Sequence, residues 1–333
     1  SITVFFLKYS LKYSFLALFM MPLAAQECAL SSIGQQVLTA VTTADQASST
    51  VPENAILTTR NVQTATLLPP NLFPHFAESL LTTQREINIQ TFLFSESDAV
   101  SIGLSALKQL ETRLSQEGRQ GDPVIMRFIL DVLDLAGDGV VPAQKAADIF
   151  AGIASLGLNP QLIKTEIATH IHTFLGSNHS KTGLIDGRIG YIGGANFDDT
   201  NDFDNPAFDS AYVFKGEVVK TLQQDFDDVW QRSTTWNCNT SGGTTTCQEA
   251  GDGVATHHAS IYQTDSSVPA NTCLPIVALT RTARNNINND PDTPASQGFI
   301  AAIESAQHHI HIMSPNMNDD LVIDGLLAAA ERG

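Results

Sequence analysis

Apolar positions between residues 87 and 171 follow two different spacings along the chain. Residues 87–94 and 162–171 are strand candidates, and the continuous apolar run over 124–132 is typical of a strand buried on both faces. Leucines at helical spacing predict an amphipathic helix over 100–114, and an Ala-rich segment that opens with Pro predicts a second helix over 142–156. This alternation of strands and helices predicts an α/β sandwich.

The pattern changes to hairpin spacing after residue 180. Residues 184–192 predict two strands joined by a turn at Asp186-Gly187, and residues 209–216 predict a further strand. A helix is predicted over 217–230, because its apolar residues recur at helical spacing. These are Val218, Val219, Leu222, Phe226, Val229 and Trp230.

Residues 300–331 predict a helix followed by a strand, a loop and a second helix. Residues 300–306 predict a helix, 308–313 a strand, 314–316 a loop and 321–331 another helix. The strand contains His308, His309 and His311, which could hold a metal ion. A structural role on a buried strand is the favoured interpretation.

Residues 178–196 contain the most specific pattern of chemistry-bearing residues. His179, Lys181 and Asp186 form H-x-K-x4-D, and Gly193-Gly194-Ala195-Asn196 follows after six more residues. On a strand, residues two apart point to the same face, so His179 and Lys181 can act together. The alternative is a polar hairpin that carries a surface histidine and lysine.

This combination suits reactions of phosphodiesters, which are anionic and resist nucleophiles. A neutral, oriented imidazole can attack phosphorus and split one difficult displacement into two through a covalent intermediate. The ammonium of Lys181 can neutralise charge on the equatorial phosphate oxygens, and the amide of Asn196 can donate to the same oxygens. With lysines supplying the positive charge, no metal or other cofactor is expected.

The pattern resembles the signature of the phospholipase D superfamily, whose members transfer or hydrolyse phosphodiesters. The resemblance implies a phospholipase D-like α-β-α sandwich lobe with His179 as the nucleophile. It assigns phosphate binding to Lys181, Asn196, Gly193 and Gly194. Asp186 belongs to the catalytic motif, although holding the turn at Gly187 is the more plausible role.

The sequence after the motif extends the resemblance. Phe226 and Trp230 match the superfamily's F-x3-W helix, which closes a lobe. A carboxylate about thirty residues after the motif accepts a hydrogen bond from the nucleophilic imidazole in that superfamily, and Asp209 lies at this offset. Such a bond fixes the tautomer and stabilises the charged imidazole. The rival carboxylates lie in one polar loop: Asp198, Asp199, Asp202 and Asp204.

The charge of the chain bears on the substrate. A net charge of −17 disfavours a nucleic-acid surface, which needs a basic footprint. The leading interpretation is a phosphatidyltransferase or hydrolase with a phospholipid substrate at a membrane surface. A secreted or periplasmic nuclease acting as a dimer and a non-catalytic binding module remain open. A basic stripe near His179 would favour the nuclease, and the nearby cations in sequence are Lys164, Lys181 and Arg188.

The N-terminus and the cysteines both point to export. Residues 1–25 resemble a secretory signal, with two lysines, an apolar run and small residues before Gln26; an uncleaved anchor is the alternative. An even number of cysteines in an exported chain predicts disulfides. Cys238 with Cys247 is the first choice because they flank a short loop, which leaves Cys28 with Cys273.

The chain divides into five expected segments. Residues 1–25 are the signal peptide, 26–85 an N-terminal extension, 86–233 the first lobe, 234–296 a disulfide-containing inter-lobe segment, and 297–333 the start of a truncated second lobe. No lysine follows Lys220, so the printed sequence has one H-x-K. The superfamily takes its general acid from a second motif. A chain with one His-Lys set is therefore expected to be nearly inactive alone.

Overall fold

The fold was analysed in a computed structural model. The structure describes residues 28–47, 56–132, 142–170, 178–254, 260, 262–263, 265–279, 292–312, 314, 317 and 319–333. The predicted signal peptide and its alternative, an uncleaved anchor, lie outside these residues. Within the described part of the chain, no helix combines the length and apolar character needed to cross a bilayer.

A nine-stranded mixed sheet forms the centre of the fold. Its strands are β2 (Asn61–Leu67), β3 (Glu86–Thr91), β4 (Val124–Asp131), β5 (Ile163–His170), β6 (Thr182–Ile185), β7 (Ile189–Gly193), β8 (Ala211–Gly216), β9 (Thr234–Ser241) and β10 (Thr244–Asp252). Their spatial order is β10-β9-β5-β4-β3-β6-β7-β8-β2. Strands β3, β4 and β5 run parallel, whereas β6 pairs antiparallel with β3 and begins a β6-β7-β8 meander. A separate two-stranded sheet pairs β1 (Ile56–Thr58) with β11 (Ile276–Ala278).

Helices cover both faces of the large sheet. One face packs against α2 (Pro69–Leu80), α3 (Asp98–Gln116) and α4 (Pro142–Ala154), and the other packs against α5 (Glu217–Gln231). Strand β4 is largely apolar because both of its faces are covered: Met126 and Phe128 face the first layer, while Ile129 faces α5. The predicted α/β sandwich is therefore confirmed, with its sheet between two helical layers.

Two further helical regions flank this sandwich. Helix α1 (Ser32–Ala47) packs against α6 (Pro294–Ser305), where a Cβ on Gly298 would lie 2.9 Å from the side chain of Val41. Helix α7 (Asp320–Arg332) packs on α6, and the Arg332 guanidinium donates to the Ile303 carbonyl at 3.1 Å. The helices predicted over 300–306 and 321–331 are thus present.

The structure corrects three expectations about the less regular segments. Residues 308–312 are exposed and form no strand, because no described strand lies beside them to pair with. Thr234–Asp252, expected to belong to an inter-lobe segment that a disulfide orders in part, is a β-hairpin that extends the main sheet through β5. Strand β2 and helix α2 belong to the same sheet and core as the segment after residue 86.

Both cysteine pairs chosen from the sequence are linked. Cys238 and Cys247 lie directly opposite each other on β9 and β10, and their Cα atoms are 4.1 Å apart. Cys28 joins Cys273 across a sequence separation of 245 residues. The second bridge ties the segment before α1 to the segment that leads into β11.

Candidate active site

His179 and Lys181 of the predicted motif lie at one edge of the large sheet. Strands β3, β4 and β5 end at this edge, and β6 begins there, because β6 is antiparallel to β3 with Thr182 opposite Gln90. Strand β7 ends and β8 begins at the same edge, where Gly193 pairs with Ala211. Residues 178–181 therefore lie beside the carboxyl ends of parallel strands, which is where open α/β sheets bind ligands.

The segment that carries His179 is anchored through Asn178. The side-chain oxygen of Asn178 accepts a hydrogen bond from the Gln90 amide at 2.8 Å, and its backbone N–H donates to the carboxylate of Asp131. Gln90 and Asp131 are buried at the ends of β3 and β4. These bonds fix the chain direction immediately before the histidine. Asp131 lies outside the set of residues predicted for the site, although an acid at the end of a buried, largely apolar strand is itself a signal.

The ring of Phe92 contacts both His179 and Lys181. Its ring centroid lies 4.6 Å from that of His179, and the Lys181 ammonium lies 5.2 Å from the same Phe92 centroid. The ammonium also donates to the His179 carbonyl at 2.7 Å. Lys181 is 8% exposed, whereas His179 is exposed to solvent. The imidazole is thus accessible, and the ammonium is held at the His179 backbone.

The surroundings shift the pKa of both groups downward. Partial desolvation and the charge of Lys181 lower the pKa of His179, while Asp131 and Asp209 act in the opposite direction. Burial lowers the pKa of Lys181 to about 8, against the attraction of Asp209, Asp198 and Asp131. The histidine is therefore neutral, and able to act as a nucleophile, at a lower pH than usual. The lysine remains charged only up to mildly alkaline pH.

Asp209 acts on the imidazole by charge rather than by the expected hydrogen bond. The His179 ring has no hydrogen-bond partner among the described residues, while the Asp209 carboxylate lies against Gly194, where an added Cβ would be 1.8 Å from its oxygen. Asp198 is buried and accepts hydrogen bonds from Thr200 and Asn201. The other rival carboxylates lie further along the loop: Asp199 and Asp204 are exposed, and Asp202 accepts from the Asp98 backbone.

The two glycines of the motif have a steric role instead of the predicted phosphate-binding role. The backbone N–H of Gly193 donates to the Lys181 carbonyl at 3.2 Å, and that of Gly194 donates to the Ser210 carbonyl at 3.0 Å. Neither donor is therefore free for a phosphate. A Cβ at Gly193 would come within 2.6 Å of Ala211, so close packing of β7 on β8 requires glycine.

Asn196 keeps its amide nitrogen available at the site. Its side-chain oxygen accepts from the Leu93 backbone N–H at 3.2 Å, which orients the NH₂ group the other way. Within the described residues the NH₂ has no hydrogen-bond partner, and Asn196 is half-buried. It can therefore donate to an incoming anion.

Asp186 lies at the opposite end of β6 and holds the chain there. Its carboxylate accepts from the backbone N–H groups of Gln84, Arg85 and Glu86 at 2.7 to 3.0 Å. The residue adopts a positive φ of 52°, which a short polar side chain tolerates in a tight turn. Its geometry is that of a turn-holding residue and not of a group that reaches a substrate beside His179.

The three cations named from the sequence do not form a basic stripe. Lys164 and Arg188 lie at the opposite edge of the sheet from His179, and each pairs with an acid, Glu166 and Asp186 respectively. Only Lys181 of the three lies at the His179 edge. Exposed apolar side chains are found there instead: Leu93, Ile192, Phe208 and Tyr212. Among the described residues, no group of three or more His, Cys, Asp or Glu side chains could hold a metal ion.

No protein-family model and no curated protein matches this sequence. Among solved structures, NucT from Helicobacter pylori is similar over 54% of this chain and 98% of its own, with 11% identity and a TM-score of 0.35. Nuc from Salmonella typhimurium, described as a phospholipase D family member, is similar over 55% and 99%, with 14% identity and a TM-score of 0.33. The archaeal chromatin protein TrmBL2 covers 54% of each chain, with 16% identity and a TM-score of 0.29. At these scores, functional assignment rests on the residues of the site.

Proposed function

We propose that this chain is a phospholipase D-like phosphodiesterase or phosphatidyltransferase that works through a covalent phosphohistidine. One observation supports the proposal most directly: the exposed His179 ring and the Lys181 ammonium both contact the ring of Phe92. A nucleophile with a lowered pKa beside a buried cation suits attack on an anionic phosphorus centre.

The reaction proceeds in two displacements. One nitrogen of neutral His179 attacks phosphorus, the bond to the leaving oxygen breaks, and that oxygen takes a proton from a general acid. Water or an alcohol then attacks phosphorus and gives its proton to the group that acted as the general acid, while the P–N bond breaks and releases neutral His179 and the product. Lys181 compensates the charge on the phosphoryl oxygens in both transition states, and the Asn196 amide donates to the same oxygens. The imidazole becomes positively charged when its nitrogen bonds to phosphorus, and the nearby charges of Asp131 and Asp209 stabilise that cation.

The general acid has to come from a second His-Lys set if the chemistry follows the superfamily. The printed sequence holds one such set. A second copy of this chain or residues outside the printed sequence would complete the site. Loss of a general acid costs about 10² to 10⁴ in rate for ordinary leaving groups.

A phospholipid is the substrate class we favour. A polynucleotide needs a track of cations along its backbone, and Lys164 and Arg188 are paired at the far edge. Phe208, which directly precedes Asp209, is 76% exposed, and Leu93 beside Asn196 is 36% exposed. Apolar side chains around a phosphate-binding centre suit a substrate presented by a lipid surface.

A nuclease of the same kind is the second candidate, since two copies of Lys181 could face one strand. A non-catalytic binding module is the third. The two disulfides are consistent with an oxidising compartment, and we propose that the protein is secreted or periplasmic.

The proposal is tested by assaying this chain, and any longer natural form of it that supplies the general acid, each as the wild type, His179→Ala and Phe208→Ser. The substrates are choline phospholipid vesicles, a soluble short-chain phosphodiester and single-stranded DNA. We expect Phe208→Ser to slow cleavage of vesicle substrate and to leave the soluble phosphodiester rate unchanged. His179→Ala should abolish both reactions, and EDTA should abolish neither.

Each remaining outcome identifies a different function. Cleavage of DNA in preference to lipid would support the nuclease. Loss of activity in EDTA with rescue by one metal would contradict the metal-free reaction. The binding module would be supported if the wild-type chain, and any longer natural form of it, bound the substrates without turning them over.

A further inference from the structure

A cleft lies at the opposite end of the sheet from His179. Its volume is about 500 Å³, and it lies between the first turn of α5 and the segment that joins β1 to β2. Gly216, at the end of β8, lines the cleft, whereas the start of β8 lies at the His179 edge. A cleft of this volume is in the range that small-molecule sites occupy. It is separate from the candidate active site.

Two cations without ionic partners line this cleft. Neither Arg60 nor Lys220 forms an ion pair or a side-chain hydrogen bond within the described residues, although most other described cations are paired. The Nε of Arg60 is buried and lacks a hydrogen-bond partner in the same part of the chain. A buried donor without an acceptor is costly and points to a missing partner.

Acidic groups in the cleft do not cancel these cations. Asp265 is already engaged, since its carboxylate lies 3.3 Å from the Lys215 ammonium and accepts from the Ser267 backbone N–H at 2.8 Å. Burial opposes a low pKa for Asp265, but the bonds to Ser267 and Lys215 lower it, so the carboxylate stays charged and paired. Glu217 is the remaining acid of the lining. With Asp265 paired to Lys215, Arg60 and Lys220 are opposed only by Glu217, so the cleft has a local excess of one positive charge in a chain of net charge −17.

The rest of the lining is largely apolar. Ile56, Leu57 and Val268 contribute aliphatic walls, and Tyr262 contributes an aromatic ring. We propose that the cleft binds a small amphiphilic anion, with its carboxylate or phosphate head on Arg60 and Lys220 and its tail against the aliphatic walls. A neutral apolar ligand would leave the Arg60 donor unpaired, and a cationic one would meet two like charges.

Binding can be measured without any catalytic assay. Octanoate and octyl phosphate are titrated into the whole chain below their micellar concentrations by calorimetry, with octyltrimethylammonium and octyl glucoside as head-group controls. We expect both anions to bind at one site and the controls to bind at least tenfold more weakly. The relative affinities of the two anions distinguish a carboxylate head from a phosphate head.

Variants localise the site. The double variant Arg60→Gln, Lys220→Gln should weaken anion binding about tenfold or more. The matched variant Lys164→Gln lies on β5, which β4, β3, β6 and β7 separate from β8, and should leave anion binding unchanged. An unchanged circular dichroism spectrum and unfolding midpoint would show that the double variant folds. If it does not fold, the single variant Lys220→Gln is used instead, because Lys220 is exposed. Equal binding of the cationic amphiphile, or full anion affinity in the folded variant, would overturn the proposal. His179→Ala should bind the anions normally, so this outcome is independent of the proposed catalysis.

Discussion

The ammonium of Lys181 links the local environment of one residue to the pH dependence of the whole reaction. Burial lowers its pKa to about 8, and partial desolvation also lowers the pKa of His179 from its ordinary value near 6.5. Activity requires neutral His179 and charged Lys181. The rate should therefore rise through an acid limb centred below pH 6.5 and fall through an alkaline limb centred near pH 8.

Replacement of Lys181 by arginine separates these two limbs. Arginine stays charged at all accessible pH values, so Lys181→Arg should lose the alkaline limb and keep the acid limb, at a reduced maximal rate because the guanidinium does not match the ammonium's position. The measurement is a pH profile of kcat/KM for the wild type and the variant. An alkaline limb near pH 8 that persists in the variant would assign it to another group.

For individual residues, the sequence predicts which ones lie close together but not which contacts they make. The spacing of His179 and Lys181 places them together, and a hydrogen bond from the Leu93 backbone holds Asn196 at the same edge of the sheet. The roles of Gly193 and Gly194 could not be predicted, because backbone donors are taken up by β-sheet pairing that only the assembled fold defines. Phe92 and Asp131 were missed because Phe92 directly follows β3 and Asp131 ends β4, 48 or more residues before His179.

At the scale of elements, Asp186 stabilises the junction between the β6–β7 turn and the start of β3. Two of its three backbone hydrogen bonds go to Oδ1 and one goes to Oδ2. Because the carboxylate is buried, Asp186→Ala should cost roughly 3 kcal/mol of unfolding free energy, and Asp186→Asn, which keeps one acceptor oxygen, roughly half of that.

Urea unfolding of both variants checks this prediction, and activity of the folded fraction distinguishes the two roles proposed for Asp186. A structural residue should leave the rate per folded molecule close to that of the wild type. A large fall in rate with unchanged stability would instead place Asp186 in the catalytic machinery.

Elements with strong periodicity agree with their predictions, and elements that depend on distant partners do not. The helix predicted over 100–114 is part of α3, and the run over 124–132 is β4, since each buries a continuous apolar surface. Residues 308–312 have the composition of a strand but no described neighbour to complete its hydrogen bonds. The hairpin Thr234–Asp252 was missed because Thr, Ser and Gly are common in loops, whereas its pairing with β5 is decided by the sheet.

At the scale of the whole molecule, the two disulfides should contribute unequally to stability. In the chain-entropy account, closing the long loop between Cys28 and Cys273 is worth roughly 5 kcal/mol, and closing the short loop between Cys238 and Cys247 roughly 2 to 3 kcal/mol. Paired serine substitutions of each bridge should therefore lower the unfolding midpoint more for the first pair.

Peptide mapping without reduction provides the control for that comparison. It should recover Cys238 linked to Cys247 and Cys28 linked to Cys273 in protein from an oxidising compartment. Four free thiols would contradict both the pairing and the proposed export. A larger loss of stability from the short bridge would show that native packing of the hairpin outweighs loop entropy.

The central claim is that His179 is the nucleophile, and an activated substrate tests it even where the general acid is missing. A p-nitrophenyl phosphodiester has a leaving group that needs no protonation, so one His-Lys set should suffice for the first displacement. We expect a burst of nitrophenolate close to one equivalent per chain. Mass spectrometry after alkaline quenching should find the phosphoryl adduct on the peptide that contains His179.

His179→Ala should show neither burst nor adduct, whereas His309→Ala, a change at an exposed histidine outside the site, should show both. A burst of unchanged size in folded His179→Ala, or an adduct on a different residue, would contradict the account.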